Sequence, residues 1–320
     1  MTLADNTSIG ISNEDTYGTF SETGQVHMYV ENVTPKTDPT LSERADITGT
    51  VFGLSSIPTR KVRNTAFRAK MYPGNEIGYL LRNLFGTPST TGAGPYTHVW
   101  PLLEAKLLTK WTSVEISEGG NTADDYDGGV IGSFTVAGGN EGYVTIEVNM
   151  VHQGRVAGTV AGSYSFSAIA PYTYCMAVVN YDSSEIKVDN WTVNVDMNYR
   201  LDNFKSGDCE IQKPVPNGKP IVTASFEIDN ADFTYRDLYE AGTADKPFSV
   251  VLTHTALAGG ATPYSLKIEL PETQITANDR SGETGQLKET VELMGLVGTS
   301  DGANTTNLEC TCVNATASYA

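Results

Sequence analysis

The stretch YVTIEVNMV, residues 143–151, alternates apolar and polar side chains over almost its whole length. Successive side chains of a β-strand point to opposite faces, so the apolar residues at positions 144, 146, 148 and 150 share one face. The polar residues between them, Thr145, Glu147 and Asn149, share the other. This pattern predicts a strand of an antiparallel sheet that has one face buried and the other in water.

Similar patterns on both sides of this strand predict a chain that is mainly β. Residues 130–136 form a second apolar strand, and the connection Gly138-Gly139-Asn140-Glu141-Gly142 predicts a hairpin between the two. Further strands are predicted at 25–32, 47–54, 62–71, 96–100, 107–116, 186–199, 221–228, 248–254, 264–270 and 308–313. Within 186–199 the apolar residues change phase, which predicts a bulge near Asp189 and Asn190.

Two short helices are predicted among these strands. The first follows Pro73-Gly74, with Asn75 as its cap, an apolar stripe at 77, 80, 81 and 84, and Gly86 and Pro88 beyond its end. The second covers residues 231–241 and ends before Gly242. Each is expected to pack over one side of a sheet.

Two polar, glycine-containing segments, 118–129 and 276–301, are predicted to be loops. The first contains Asp124, Asp125 and Asp127, but it lacks the ligand spacing of a calcium-binding loop and its distal glutamate. We therefore expect a solvated loop rather than a metal site.

The order strand, short helix, glycine, strand occurs twice along the chain. Residues 67–86 followed by 96–100 match residues 226–242 followed by 248–254 in pattern, although not in sequence identity. We therefore predict two antiparallel β-sandwich or barrel domains that arose by duplication, each with one short flanking helix. Residues 1–45 would form an N-terminal arm or loop, residues 46–160 the first domain and residues 161–320 the second.

The composition argues against several classes of function. Asp and Glu total 38 against 21 Lys and Arg, a formal charge of -17, so the surface should repel nucleic acid and anionic membranes. The N-terminus lacks the basic and apolar segments of a signal peptide, and no apolar run is long enough to cross a membrane. We expect a protein that is made and kept in a reducing cytoplasm.

No pattern of catalytic, cofactor-binding or metal-binding residues is present. Common enzyme motifs, such as a phosphate loop or H-E-x-x-H, do not occur. Of the four cysteines, Cys310 and Cys312 lie two residues apart, without a second pair or a nearby histidine cluster. We expect both to be small buried apolar residues, and we expect no enzyme activity and no cofactor.

One dense basic stretch interrupts this acidic chain. It contains Arg60, Lys61, Arg63, Arg68 and Lys70, interleaved with apolar residues of a predicted strand. One interpretation is a solvated strand face. The other is a contact with an acidic patch on another subunit, which makes these five residues candidate inter-subunit contacts.

In the order and spacing of several segments, the chain resembles the phage tail tube proteins, or major tail proteins, of the long two-domain type. The segments that carry the resemblance are ERADITG (43–49), YLLRNLFG (79–86), PYTH (95–98), YDGGVIGSFTV (126–136), WTVNV (191–195) and YSLKIELP (264–271). The resemblance covers most of the chain.

This resemblance implies a structural protein of the virion tail, made in the host cytoplasm. Sheets of neighbouring subunits would join into a β-barrel around a channel, and rings would stack through loops and N-terminal arms. The tube would lie between the tail terminator and the distal tail protein, enclose the tape measure protein, and later conduct DNA without binding it specifically.

The predicted duplication bears on symmetry. If each half is one tube domain, three chains form a pseudo-sixfold ring; otherwise about six chains are needed. Two alternatives to a tube protein remain at this point. One is another virion component, such as a distal tail, baseplate or capsid decoration protein, and the other is a β-sandwich binding or adhesin module.

Overall fold

The computed structural model describes residues 7–43, 56–118, 122–140, 142–159, 164, 166–200, 203–205, 207–229, 233–283 and 286–319. The strand predicted at 47–54 lies outside these residues. Strands dominate the described chain, and the pairings between them are antiparallel, as the alternating sequence predicts. The prediction of a mainly β, antiparallel sandwich fold with two short helices is confirmed.

The described residues of the first half contain ten strands and one α-helix. They are β1 (Thr7–Glu14), β2 (Val26–Met28), β3 (Val30–Glu43), β4 (Ser56–Lys70), α1 (Asn75–Phe85), β5 (Ser89–Thr91), β6 (Tyr96–Pro101), β7 (Trp111–Glu118), β8 (Thr122–Gly139), β9 (Thr145–His152) and β10 (Gly154–Thr159).

In the second half, the part that the structure describes contains twelve strands and one α-helix. They are β11 (Ala177–Tyr181), β12 (Ser184–Ile186), β13 (Asn190–Asp196), β14 (Tyr199–Arg200), β15 (Val215–Pro216), β16 (Ile221–Asp229), α2 (Thr234–Glu240), β17 (Lys246–Gly259), β18 (Thr262–Glu283), β19 (Gln286–Leu296), β20 (Gly298–Thr299), β21 (Thr305–Thr306) and β22 (Glu309–Asn314).

Eight strands from both halves form one continuous sheet, which we call the main sheet. Its spatial order is β3–β4–β9–β8–β13–β16–β19–β18. Two smaller sheets branch from it through the long strands β8 and β18. The first is β2–β1–β7–β8–β10, and the second is β12–β11–β17–β18–β22, which β6 and β5 extend.

The core lies between the main sheet and the smaller sheets. In the second half, Phe226 of β16 stacks on Phe248 of β17 with ring centroids 6.0 Å apart. In the first half, Ile9 and Ile11 of β1 are fully buried, in one apolar cluster with Phe67 of β4. Burial of these apolar faces is the main favourable contribution to folding.

The two helices cover the sheets as predicted, with one detail corrected. The stripe of α1 is buried, and Gly86 ends the helix in the left-handed region at a φ of 80°. Asn75 is the first helical residue and Gly74 occupies the N-cap position, so the prediction of Asn75 as the cap is wrong. Helix α2 packs on the second sandwich through Tyr235, whose ring centroid lies 5.4 Å from that of Phe226.

Two segments predicted to be loops are strands. Residues 122–129 form the first part of β8, which pairs with β7 on one side and β10 on the other. Asp125 is buried there, and Asp124 forms an ion pair with Arg155 of β10. Residues 276–301 belong largely to β18 and β19. Successive side chains of these strands point to opposite faces of the main sheet. Residues 7–43 contain three strands where one was predicted.

How the chain divides into domains stays a prediction. Strand pairs cross residue 160 at two places, since β13 pairs with β8 and β22 pairs with β6. Among the described residues, no helix is both long and apolar enough to span a bilayer.

Candidate assembly interface

The two halves of the main sheet repeat the same arrangement of strands. The first half contributes β3–β4–β9–β8 and the second β13–β16–β19–β18, each in that spatial order. In both, the second strand is followed by the helix, and the last two spatial neighbours form a sequence hairpin.

The smaller sheets repeat in the same way. Strand β8 leaves the main sheet to lie between β7 and β10, and β18 leaves it to lie between β17 and β22. Next to them, the pair β1–β2 corresponds to β11–β12. Each repeat is therefore a sandwich of four main-sheet strands against a five-stranded small sheet, and one long strand, β8 or β18, belongs to both.

Matching irregularities give the repeat a residue-level correspondence. The β8–β9 ladder shifts register after Ile131 faces Met150, and the β18–β19 ladder shifts after Ile275 faces Leu293. Such bulges place one extra residue in one strand. Both shifts lie at the same point of the equivalent hairpins.

The two repeats meet where β8 pairs with β13. Gly138 faces Trp191, and a Cβ on the glycine would lie 2.7 Å from the indole, so a larger residue would not fit without movement. On the opposite face of the sheet, Thr135 lies across from Asn194, and its hydroxyl donates to the amide oxygen at 2.8 Å. This seam joins the last strand of one repeat to the first strand of the next.

Each outer edge of the main sheet lacks the neighbour that this seam provides. Within the described ranges, β3 pairs only with β4, and residues 277–283 of β18 pair only with β19. Lys36, Thr34 and Asp279, on these edges, are exposed. An unpaired strand edge is a template for pairing with another chain.

A two-stranded ribbon extends beyond the sheet at the β3 edge. We call residues 38–43 of β3 and 56–62 of β4 the hairpin ribbon; they pair with each other, and the pairing of β4 with β9 begins only at Arg63. Leu41, within it, is 56% exposed. At its base the ribbon contacts Phe204 and, through a bridge from Lys61, Glu210. Two-stranded ribbons are marginally stable in water, so the outer part of this one is suited to a partner.

The five basic candidates occupy three different environments. Arg60 and Lys61 belong to the hairpin ribbon, where Arg60 lies over the ring of Phe204 and the Lys61 amide donates to the Cys209 carbonyl. Arg68 is exposed on the polar face of the main sheet near Glu31 and Glu147. Lys70 lies on the same face.

Arg63 is buried and forms its contacts within the chain. It is only 6% exposed, and its guanidinium donates to the Gln153 carbonyl and to the Glu210 carboxylate, both at 2.7 Å. The idea of a basic inter-subunit contact therefore rests on the other four residues.

The water-exposed face of the main sheet is polar along its whole width. Acidic side chains outnumber basic ones there: Glu147, Asp196, Glu227, Asp229, Glu292 and Asp279 against Lys36, Arg68, Lys70 and Lys288. The opposite face supplies the core, so only this face is open to solvent over all eight strands.

Carboxylates are also buried beneath the first small sheet. Glu14 is almost fully buried, and this burial raises its pKa to about 7, although Gly128, Ser113 and Gly18 donate hydrogen bonds to it. Burial likewise raises the pKa of Asp125 to about 6, and the nearby Glu115 adds to the effect.

The cysteine pair and the acidic residues considered as metal ligands in the sequence do not form a metal-binding site in the described residues. Cys310 and Cys312 are buried in the core strand β22, and burial raises the pKa of both thiols. In the described part of the chain, no group of three or more His, Cys, Asp or Glu side chains is placed to hold a metal ion. The seam between the repeats was missed, because pairing partners far apart in sequence leave no local signal.

Comparison with known proteins identifies the family. The model of the phage tail tube protein family matches residues 4–295, and the chain belongs to this family. The chain is thus a structural component of the virion tail, as the resemblance predicts. No curated protein matches it.

Proposed function

We propose that this member of the phage tail tube protein family closes into rings through the edges of its main sheet. The observation that carries the proposal is the repeat of four strands, joined within the chain by the β8–β13 seam. Among the described residues, no strand pairs with either outer edge. A second copy placed at each edge continues the sheet and removes both free edges. The rings then stack into a tube.

The repeat favours three chains in a ring over six. Three chains of eight strands form a barrel of 24 strands, since each chain contributes two equivalent repeats. At the usual strand spacing and tilt, such a barrel is about 40–50 Å across between opposite backbones. That width leaves room for side chains and for a DNA duplex, whereas six chains would double it.

The polar face of the main sheet is the surface that would line the channel. The other face is covered by the smaller sheets, and acidic residues such as Glu147 and Glu292 predominate on the open one. Proteins bind DNA largely by neutralising phosphates with basic side chains. An acidic lining would therefore let the tape measure protein and later the genome pass without holding DNA.

The hairpin ribbon is suited to contact the next ring of the stack. It extends past the sheet, residues 38–41, 59 and 60 are exposed, and it carries Arg60 and Lys61 in a chain whose net charge is -17. Basic residues at the end of an acidic ring favour contact with an acidic neighbour. Arg68 and Lys70 lie on the polar face of β4, so in this ring they would line the channel beside Glu147 rather than meet the adjoining chain.

Other parts of the proposal rest on the family alone. A tube of this kind would meet the tail terminator at one end and the distal tail protein at the other, and would assemble from chains made in the host cytoplasm. We assign it no catalytic role.

Electron microscopy of the concentrated, purified chain tests this function. We expect hollow tubes whose rings contain three chains of 34.4 kDa each and show pseudo-sixfold symmetry. Rings of six chains would overturn the stoichiometry. A protein that stays monomeric at every concentration, also in the presence of pre-formed tail tips, would overturn the tube itself.

A further inference from the structure

We propose that β18 of one chain pairs with β3 of the next in a defined register, with Asp279 directly opposite Lys36. This inference rests on the proposed ring. It names the partner of each free edge, which is a second copy of this chain, and the residues that meet there. The β8–β13 seam within the chain serves as the template for the seam between chains.

The correspondence of β8 with β18 follows from their bulges. Ile131 faces Met150 just before one register shift, and Ile275 faces Leu293 just before the other. Four residues beyond Ile131, Thr135 faces Glu147. Four residues beyond Ile275, Asp279 faces Thr290. Thr135 and Asp279 therefore occupy equivalent positions.

The correspondence of β13 with β3 follows from the strands between. Phe67 faces Val148 and Phe226 faces Val291, so these two phenylalanines are equivalent. Their partners on the other side are Val33 and Trp191. Three residues further along each strand, Lys36 is equivalent to Asn194.

Transfer of the seam then places opposite charges together. Within the chain, Thr135 faces Asn194 and donates a hydrogen bond to it. The equivalent pair between chains is Asp279 and Lys36, which turns a polar pair into a cross-strand ion pair on the same, water-exposed face. Lys36 already forms a 2.7 Å ion pair with Asp38 of its own strand, so it would lie between two carboxylates.

A second pair supports the same register. Three residues beyond Thr135, Gly138 faces Trp191, where a side chain would meet the indole. The equivalent pair is Gly282 opposite Val33, so a glycine again faces an apolar residue of the neighbouring strand. A shift by one residue would remove the glycine from this position and turn Asp279 to the other face relative to Lys36.

The ion pair would select the register more than it strengthens the ring. Lys36 and Asp38 side chains are 63% and 50% exposed in the single chain, and opposite charges across such strands contribute only about 0.2–1 kcal/mol. Main-chain hydrogen bonds along seven residue pairs, as at the β8–β13 seam, would supply the adhesion.

Disulfide trapping in assembled tubes tests the register. On a background in which the exposed Cys175 and Cys209 are changed to serine, Lys36→Cys is combined with Asp279→Cys, and tubes are oxidised before denaturing electrophoresis. We expect covalent trimers as the largest closed species. Matched controls combine Lys36→Cys with Ala277→Cys or Ser281→Cys, which share the face of Asp279 but lie two residues away.

The outcomes separate this inference from the proposed function. If tubes form and a control pair cross-links in preference, or no pair does, the register is wrong while the tube stands. If the parent chain forms no tubes, the proposed function fails. Should the cysteine variant not assemble, the charge swap decides: Lys36→Asp and Asp279→Lys alone should weaken assembly at least severalfold, and the double change should restore it, whereas no restoration counts against the pair.

Discussion

Gly138 of β8 lies directly opposite Trp191 of β13, so close that the indole occupies the space where a side chain on residue 138 would begin. Trp191 is fully buried, and it is the first large residue of the second repeat in the main sheet. This contact joins the two repeats, and it depends on the absence of a Cβ.

Gly138→Ala should therefore destabilise the folded chain. The added methyl would lie 2.7 Å from the indole, and overpacking of this kind costs about 1–3 kcal/mol. Urea unfolding should show a lower midpoint. Gly139→Ala is the matched control, because a Cβ there meets no atom within 4 Å; an equal loss in both variants would show that the indole contact is not the cause.

We expect a substitution of Asn83 to destabilise the folded chain as well. Its amide donates at 2.8 Å to Thr112 and to the Gly129 carbonyl, and its oxygen accepts from the Ile131 amide at 2.9 Å. These bonds hold α1 to β8 where that strand passes from the small sheet to the main sheet. Asn83→Ala leaves buried groups unpaired and should cost about 2–4 kcal/mol in thermal or urea unfolding.

The exposed Asn149 offers the comparison for Asn83. Its amide donates at 2.8 Å to the Ser133 hydroxyl on the water-exposed face, where water can replace the lost partner. Asn149→Ala should change the free energy of unfolding by less than about 0.5 kcal/mol. Similar losses at both positions would contradict the anchoring role of Asn83.

Local signals predicted part of this fold and left the rest unseen. Helix α1 and strand β9 carry strong apolar periodicity, and the structure places both within a residue or two of the predicted bounds. The first part of β8 was missed because Asp125 is buried in a polar setting, which a hydrophobic pattern does not reveal. The repeat was visible in outline through Phe67 and Phe226, but the seam and its register depend on pairs such as Val136 with Val193, which only the folded chain brings together.

Stability should fall as the pH rises through the range in which Glu14 ionises. Its pKa is about 7 in the folded chain against 4.5 for an unperturbed glutamate, so the folded state holds a proton that the unfolded state has lost. The free energy of unfolding should decrease by about 3 kcal/mol between pH 4.5 and 7 and then level off. Asp125, with a pKa of about 6, acts in the same direction.

Glu14→Gln should flatten this pH dependence, because an amide does not titrate. The melting temperature of the variant, measured from pH 4.5 to 8, should approach or exceed that of the parent above pH 7. Glu147→Gln, a change on the exposed face, serves as the control. A parent slope that survives in Glu14→Gln would assign the effect to other carboxyls.

We expect substitutions in the basic stretch to have two kinds of effect: Arg63 should matter for folding and Arg60 for assembly. Arg63→Ala removes a buried guanidinium and leaves the Gln153 carbonyl and Glu210 without their partner, so it should lower stability by about 2 kcal/mol. Arg60→Ala affects an exposed side chain and should change stability by less than about 1 kcal/mol. Light scattering should show slower or weaker tube growth for Arg60→Ala, and unchanged growth would remove Arg60 from the stacking contact.

Removal of the hairpin ribbon should separate ring closure from stacking. Thr37 and Arg63 are paired across β3 and β4, so an Asn-Gly turn can join them and replace residues 38–62 while Lys36 and the β4–β9 ladder are kept. No described residue of the ribbon belongs to the apolar core, so this variant should fold, with a melting temperature lowered by the loss of the Lys61–Cys209 hydrogen bond and the Arg60–Phe204 contact. Because the edges of β3 and β18 remain, it should still form three-chain rings but not long tubes. Electron microscopy that shows tubes of parental length would exclude the ribbon as the stacking element, and monomers alone would show that the ribbon is needed for the ring itself.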